Sequence, residues 1–286
     1  LLQFIKRGHP MLIDILSFSC PLLLCSFAAL FSEYAGSLAL FLEGLVSFSA
    51  FVFFTLCVKL GGTMLVVFAA FVITIILMAL TVFLFILLIQ KFKAHKFIAG
   101  TAMNLLFTAL TSAFSSMIFK TRGVLTSPLF SFDVTSVKIF TIVITVLITA
   151  LSIVFLAKTR TGLYLRITGS DSNVLIAKGV DPSWIRILSW TMAGAFAALS
   201  GILLTLRISS FVPNISSGRG WMALAAVFLG NKKPVRLLIA VIIFCATDYF
   251  GVHIQNLFPS IPTAVLLSLP YIVALGMVAC SPAKKS

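Results

Sequence analysis

The chain has 286 residues, of which 60% are hydrophobic and only 10% charged, with a mean hydropathy of +1.18. A water-soluble domain needs a polar surface that this composition cannot supply, so lipid is its natural solvent. The formal charge of +14 does not indicate a nucleic-acid partner, because the Lys and Arg residues fall in clusters between apolar runs, as orientation signals do.

Eight apolar runs approach or exceed the roughly 20 residues that cross about 30 Å of hydrocarbon at about 1.5 Å per helical residue. In chain order they are Met11 to Phe31, Ser37 to Val58, Thr63 to Ile89, Phe97 to Phe119, Ile139 to Ala157, Ile185 to Leu206, Leu237 to Val252 and Pro262 to Cys280. A ninth, Val212 to Gly230, is interrupted by Pro213, Gly218, Arg219 and Gly220. Lipid offers the backbone no hydrogen-bond partner, so these segments are helices. The expected fold is all-α, a polytopic helical bundle with eight or nine membrane segments in one domain spanning residues 1–286. The first run follows Lys6 and Arg7 like a signal peptide, but it carries Asp14 and lacks a small-residue cleavage site, so it reads as a retained helix. The five cysteines lie in or at the edge of apolar runs and read as packing residues.

The longest polar interruption is Lys158 to Trp184. With this stretch on the cytoplasmic side, the turns at 91–96 and 231–234 also fall inside. The segments 59–62, 120–138 and 207–220 fall outside. Eight of the 21 basic residues are then external (Lys6, Arg7, Lys59, Lys120, Arg122, Lys138, Arg207, Arg219), and 13 are internal, the expected bias. The chain begins with Leu, and a further helix upstream would account for Lys6 and Arg7 on the outer side.

Within the interruption, Thr168 to Ser172 is turn-rich, and Asp171 or Ser172 can cap a helix over Asn173 to Lys178. Gly179 suits the left-handed residue after a helix end, and Pro182 follows. Val174, Leu175, Ile176 and Ala177 give this short helix an apolar surface. A partner protein or the chain's own helix ends can cover it.

The stretch Thr159 to Arg166, with Thr168-Gly169, Ala177 to Val180 and Arg186, resembles the cytoplasmic loop of ABC-importer permeases that serve simple sugars, nucleosides and branched-chain amino acids. Three further stretches resemble the same family in the same order: Ala35 to Gly44, which keeps a Glu-Gly pair; Phe97 to Leu106, which carries Met103-Asn104; and Ser217 to Asn231, closed by Pro234. The nucleoside- and riboflavin-type permeases look most similar. The resemblance implies the larger importer-type permease fold. It implies that Gly169, Ser170, Asp171, Ser172, Asn173, Ala177, Lys178 and Gly179 couple to a separate ATPase. It also implies a second permease subunit, identical or related, and an extracytoplasmic solute-binding protein. The setting is the bacterial inner membrane.

Glu43, Gly44, Asn104, Gly220 and Trp221 are the candidates for the translocation pathway. An intramembrane carboxylate such as Glu43 either faces a polar path or fixes helix packing. Asn104 either bonds between helices or meets solute. Trp221 either sits in the interfacial belt or stacks on a solute ring. Asp248, near an outer helix end, reads as solvated. His253 has no Cys or carboxylate at metal-ligand spacing, so neither a metal nor a cofactor is expected. There is no G-x-x-x-x-G-K-[ST] phosphate loop and no catalytic constellation, so the chain is not an enzyme and any ATP is hydrolysed on another subunit. Two rival readings are an ion-gradient transporter, which needs intramembrane acid or base relays and has only Glu43 as a strong candidate, and a non-transporting membrane scaffold.

Overall fold

The computed structural model describes residues 8–257, 268–273 and 275–276. These residues form a helical bundle of α1 (Gly8–Tyr34), α2 (Leu42–Lys59), α3 (Met64–Lys91), α4 (Lys96–Phe119), α5 (Val134–Lys158), α6 (Arg160–Ser170), α7 (Asn173–Ala177), α8 (Pro182–Ile208), α9 (Arg219–Leu229) and α10 (Pro234–Leu257). Seven helices among the described residues are long and apolar enough to span a membrane, and α9 is a shorter apolar helix. Seven of the eight apolar runs therefore become spans. Of the eighth, Pro262 to Cys280, only the described residues named above can be placed, and these are helical.

Local chemistry sets many of the helix starts. Thr63 accepts from Val66 N to open α3, and Asp181 accepts from Ser183 N to open α8 with Pro182 in its first turn. Asp133 accepts from Ser136 N at 2.8 Å to open α5, and that bond holds its carboxyl below the usual range.

Burial separates two classes of span. In α1 and α8 about four-fifths of the apolar window is inside the protein (78% for each), against 28% in α3 and α5 and 22% in α4. The outer helices bury a single stripe. In α4 it is Gly100, Met103, Phe107, Thr111 and Ser115, and in α5 it is Thr141, Thr145, Thr149, Ser152 and Leu156. The spacing of three to four residues is the helix repeat, and the remaining apolar surface faces lipid. These helices are apolar outward and partly hydroxylated inward, where Thr111 Oγ1 donates to Phe107 O and Ser152 Oγ to Ile148 O within their own helices.

The core is the packing of α8 against α1, α2 and α3. The small residues Ala193, Ala197 and Gly201 are buried on α8. Hydroxyls stitch α8 to α1: Ser189 Oγ donates to Phe31 O at 2.8 Å and Ser200 Oγ to Pro21 O at 2.7 Å. A β-carbon on Gly201 would lie 2.3 Å from Val46 O and 2.2 Å from Ser49 Oγ. Gly201→Leu is thus expected to pry α8 from α2 and destabilise the protein by about 3 kcal/mol, the upper range for overpacking. A lowered thermal midpoint in detergent checks this, with Gly276→Ala, whose added methyl meets no atom among the described residues, as the control.

The helix ends sort into two groups as the topology requires. At one end Gln90 Nε2 donates to Ser183 O at 3.0 Å, and Lys232 Nζ lies 2.7 Å from Glu33 Oε1. At the other, Leu125 pairs with Phe211 in an isolated antiparallel bridge, and Lys138 Nζ lies 2.6 Å from Asp14 Oδ1.

Three expectations need correction. The run from Ser37 is not helical until Leu42; residues 37–41 are irregular. Trp190 Nε1 takes Ser37 O at 2.9 Å, and Ala39 N donates to Ser32 Oγ at 3.2 Å, so side chains replace the helical partners. The interruption at 158–184 is mostly helix, because Thr159 Oγ1 accepts from Gly162 N and starts α6, which continues through the turn-rich Thr168 to Ser170. Asp248 is not solvated; its side chain is only 18% exposed and lies 3.9 Å from Arg219 Nη2.

Candidate functional site

The segment 35–44 is the point on which the other distinctive stretches converge. Gly169 at the end of α6 abuts Tyr34 and Gly36, Gly100 abuts Leu40, Asn104 abuts Gly44, and Gly220 abuts Glu43. Stretches far apart in sequence thus share one locus.

The centre of that locus is two helix N-termini. The first turn of α2 presents Glu43 N and Gly44 N; the first turn of α9 presents Gly220 N. Helix α2 runs from here to the end holding Lys59, and α9 runs the opposite way to Lys232. The two meet head to head. Eleven residues of α9 place the junction about 16 Å from the α9 end next to Lys232, about half the thickness of a hydrocarbon core. Each N-terminus carries unpaired N–H groups and about half a positive charge.

Side chains from elsewhere answer both. Asn104 Oδ1 on α4 accepts from Gly44 N at 2.6 Å. Glu43 Oε1 accepts from Gly218 N at 2.7 Å and from Ser216 Oγ, and Glu43 Oε2 accepts from Gly220 N at 2.7 Å. Ser47 Oγ bonds Ser216 Oγ at 3.1 Å and extends the network. Broken helices at this depth are tolerated where such partners satisfy the backbone or a cavity is lined. Glu43 and Asn104 therefore act in this state as caps delivered across the bundle. The approach is close enough to exclude side chains: a β-carbon on Gly44 would lie 2.3 Å from Asn104 O, and one on Gly220 would lie 2.5 Å from Glu43 N.

Trp221 follows Gly220 on α9 and is 43% exposed. Arg219 bonds back to Ser216 O at 3.2 Å, and its guanidinium and that of Arg207 lie 5.5 Å and 4.5 Å from the Phe18 ring. The sequence carries no local signal of this basic and aromatic cluster, because Phe18 lies about 190 to 200 positions from the two arginines.

At the bundle end that holds Tyr34 and Lys232, α7 forms a small platform. Asp171 Oδ1 accepts from Asn173 N at 2.9 Å, so Asp171 and not Ser172 supplies the side-chain cap. Gly179 N donates to Ile176 O at 2.9 Å and Val180 N to Leu175 O at 3.0 Å, closing the helix with Gly179 at φ 72°. Leu175 is buried, whereas Val174, Ile176, Ala177 and Lys178 are exposed. Beside them lies a cavity of about 440 Å³ lined by residues that include Ser172, Ile176, Gly179, Val180 and Arg186. Arg186 Nε is buried there without a partner among the described residues. Gly169, at the end of α6, lies against Tyr34 and Gly36, although it is exposed on its other side.

The chain is 28% identical over 268 residues to the putative glucose ABC transporter permease protein TsgC13 of Haloferax volcanii, covering 86% of this chain and 79% of that protein. It is 25% identical over 287 residues to the guanosine ABC transporter permease protein NupQ of Bacillus subtilis, covering 91% and 88%. It is 33% identical over 89 residues to the ribose import permease protein RbsC of Escherichia coli, covering 29% and 28%. Among solved structures, PsaBC from Streptococcus pneumoniae in complex with Fab superposes with a TM-score of 0.59 at 13% identity, covering 99% of this chain and 96% of that one, which shows a shared fold. The family model described as branched-chain amino acid transport system / permease component matches residues 11–279, and the chain belongs to that family as a multi-pass inner-membrane ABC transporter permease.

Proposed function

We propose that this permease forms part of the import pathway for a nucleoside or simple sugar, with riboflavin as the third candidate, and that a separate ATPase drives it by docking on α7. The exposed, doubly closed platform of α7 carries the docking assignment. Its five residues (Asn173–Ala177) are locked by a side-chain cap at one end and a left-handed glycine at the other, yet they leave Val174 and Ile176 uncovered. A rigid apolar knob outside the bilayer is suited to insertion in a partner's cleft. Gly169 to Lys178 and Gly179 supply the frame. A second permease subunit, identical or related, completes the pathway beside the broken-helix junction, with Trp221 and the Glu43–Gly44–Asn104–Gly220 group at its wall. A solute-binding protein delivers solute from outside.

The acids favour this reading over an ion-driven one. The chain has seven carboxylates. Asp133, Asp171 and Asp181 cap helices, Glu43 caps α9, and Asp14, Glu33 and Asp248 face Lys138, Lys232 and Arg219. None is left as a free proton relay.

Ala177 is exposed, so Ala177→Trp is expected to leave the fold intact while weakening ATPase association and uptake by more than tenfold. Gly179→Leu is expected to do the same and to strain the left-handed turn by about 1 kcal/mol. Co-purification with the ATPase and uptake of labelled solute check both; unchanged values would remove the docking assignment. Competition among labelled guanosine, glucose, ribose and riboflavin in a deletion strain identifies the solute.

A further inference from the structure

We infer that Tyr34 and Glu33 are positioning residues that tie the α6–α7 platform to the half-helix α9, so that movement at the platform is delivered to the junction at Glu43. The inference rests on the docking reading above and adds the route. Four contacts compose it.

First, the platform touches α1 with no slack. A β-carbon on Gly169 would lie 2.3 Å from Tyr34 O and 3.0 Å from Gly36 N, and one on Gly36 would lie 3.2 Å from Gly169 Cα. Backbone meets backbone, so the end of α6 cannot advance without moving the end of α1. Second, Tyr34 Oη donates to Lys232 O, at the turn that closes α9. Third, Glu33 Oε1 holds Lys232 Nζ at 2.7 Å, with the carboxylate mostly buried and the ammonium half exposed. Fourth, the opposite end of α9 is held by Glu43 through Gly218 N and Gly220 N.

The turn at the centre of this chain of contacts is unusual. Asn231 and Lys232 both have positive φ, 50° and 57°. Two successive non-glycine residues in the left-handed region are costly and persist only where other contacts hold them. Asn231 N bonds Phe228 O at 2.9 Å and Lys232 N bonds Val227 O at 3.1 Å, while Tyr34 and Glu33 hold the turn from α1. The strained turn makes α9 a short rigid lever with both ends clamped. Rigid elements joined by direct contacts can carry coupling between distant sites.

The test uses the complete importer in proteoliposomes. Tyr34→Phe removes one hydroxyl and Glu33→Gln one charge, and neither touches the exposed face of α7. Both are expected to keep ATPase association and ATP hydrolysis while solute taken up per ATP falls at least fivefold. The exchanged pair Glu33→Lys with Lys232→Glu is expected to recover most of the loss, which a general packing defect would not do. In the isolated permease, hydrogen exchange at Gly218 to Trp221 is expected to be faster in Tyr34→Phe. Uptake per ATP at the wild-type value in both single variants, or unchanged exchange at Gly218 to Trp221, overturns the tie. Failure of the docking reading is separate: the wild-type permease would then not retain the ATPase.

Discussion

Gly220→Val is expected to abolish uptake and to leave a protein that unfolds at markedly lower temperature. The added β-carbon would lie 2.5 Å from Glu43 N, 2.7 Å from Glu43 Cα and 2.9 Å from Glu43 Cβ. The nearest atoms are backbone on a helix packed against α4 and α8, so no rotamer change relieves the clash. Helix α9 must separate from α2, and the bonds from Gly218 N and Gly220 N to the carboxylate break with it. Hydrogen bonds to a charged group contribute about 1.5–3 kcal/mol each, so a loss of about 3 kcal/mol or more is expected. Gly220→Ala meets the same contacts with one methyl and should fall between wild type and valine. Transport assays and thermal midpoints in detergent check the order. An uptake-competent valine variant of normal stability would show that α9 does not sit where the structure has it.

Substitutions at Glu43 should form a graded series. Glu43→Gln keeps the shape and one acceptor, so Gly218 N stays satisfied, but the amide nitrogen cannot accept from Gly220 N. The charge facing the α9 N-terminus is also lost, at about 0.3–1 kcal/mol on exposed helices and up to about 2 in partly buried settings. A total near 2 kcal/mol is expected. Glu43→Leu leaves Ser216 Oγ, Gly218 N and Gly220 N all without the carboxylate. A buried donor left unsatisfied costs about 1–3 kcal/mol, so this variant is expected to lose 3 kcal/mol or more and all uptake. Asn104→Leu, which removes the acceptor for Gly44 N, should resemble the glutamine variant. If Gln and Leu at position 43 were equally mild, the carboxylate would not be holding the half-helix.

The two glycine–carboxylate contacts and the α7 platform sit at different depths, yet the same segment, 35–44, lies between them. One end of it meets Gly169 and the other meets Gly220. Solute passage and energy input, in the proposed function, therefore act on a single stretch of ten residues.

What the sequence determined by itself was everything that depends on local composition. Runs of apolar residues long enough for the bilayer became spans, because lipid leaves a backbone no alternative to helix. The clustering of Lys and Arg sorted the turns into two groups, and the helix ends meet in those groups. Gly179, Asp171, Asp181 and Pro182 set the edges of α7 and α8, because caps and left-handed turns act within four residues. The tertiary structure decided what long-range partners decide. Residues 37–41 are as apolar as the helices around them, and Trp190, donating to Ser37 O from the distant α8, helps Ser32 to hold the segment open. Glu43 read first as a lining group and second as a packing bond. Its partners lie 173 to 177 positions later in the chain. Composition says that such a carboxylate must be answered; only packing brings the half-helix that answers it.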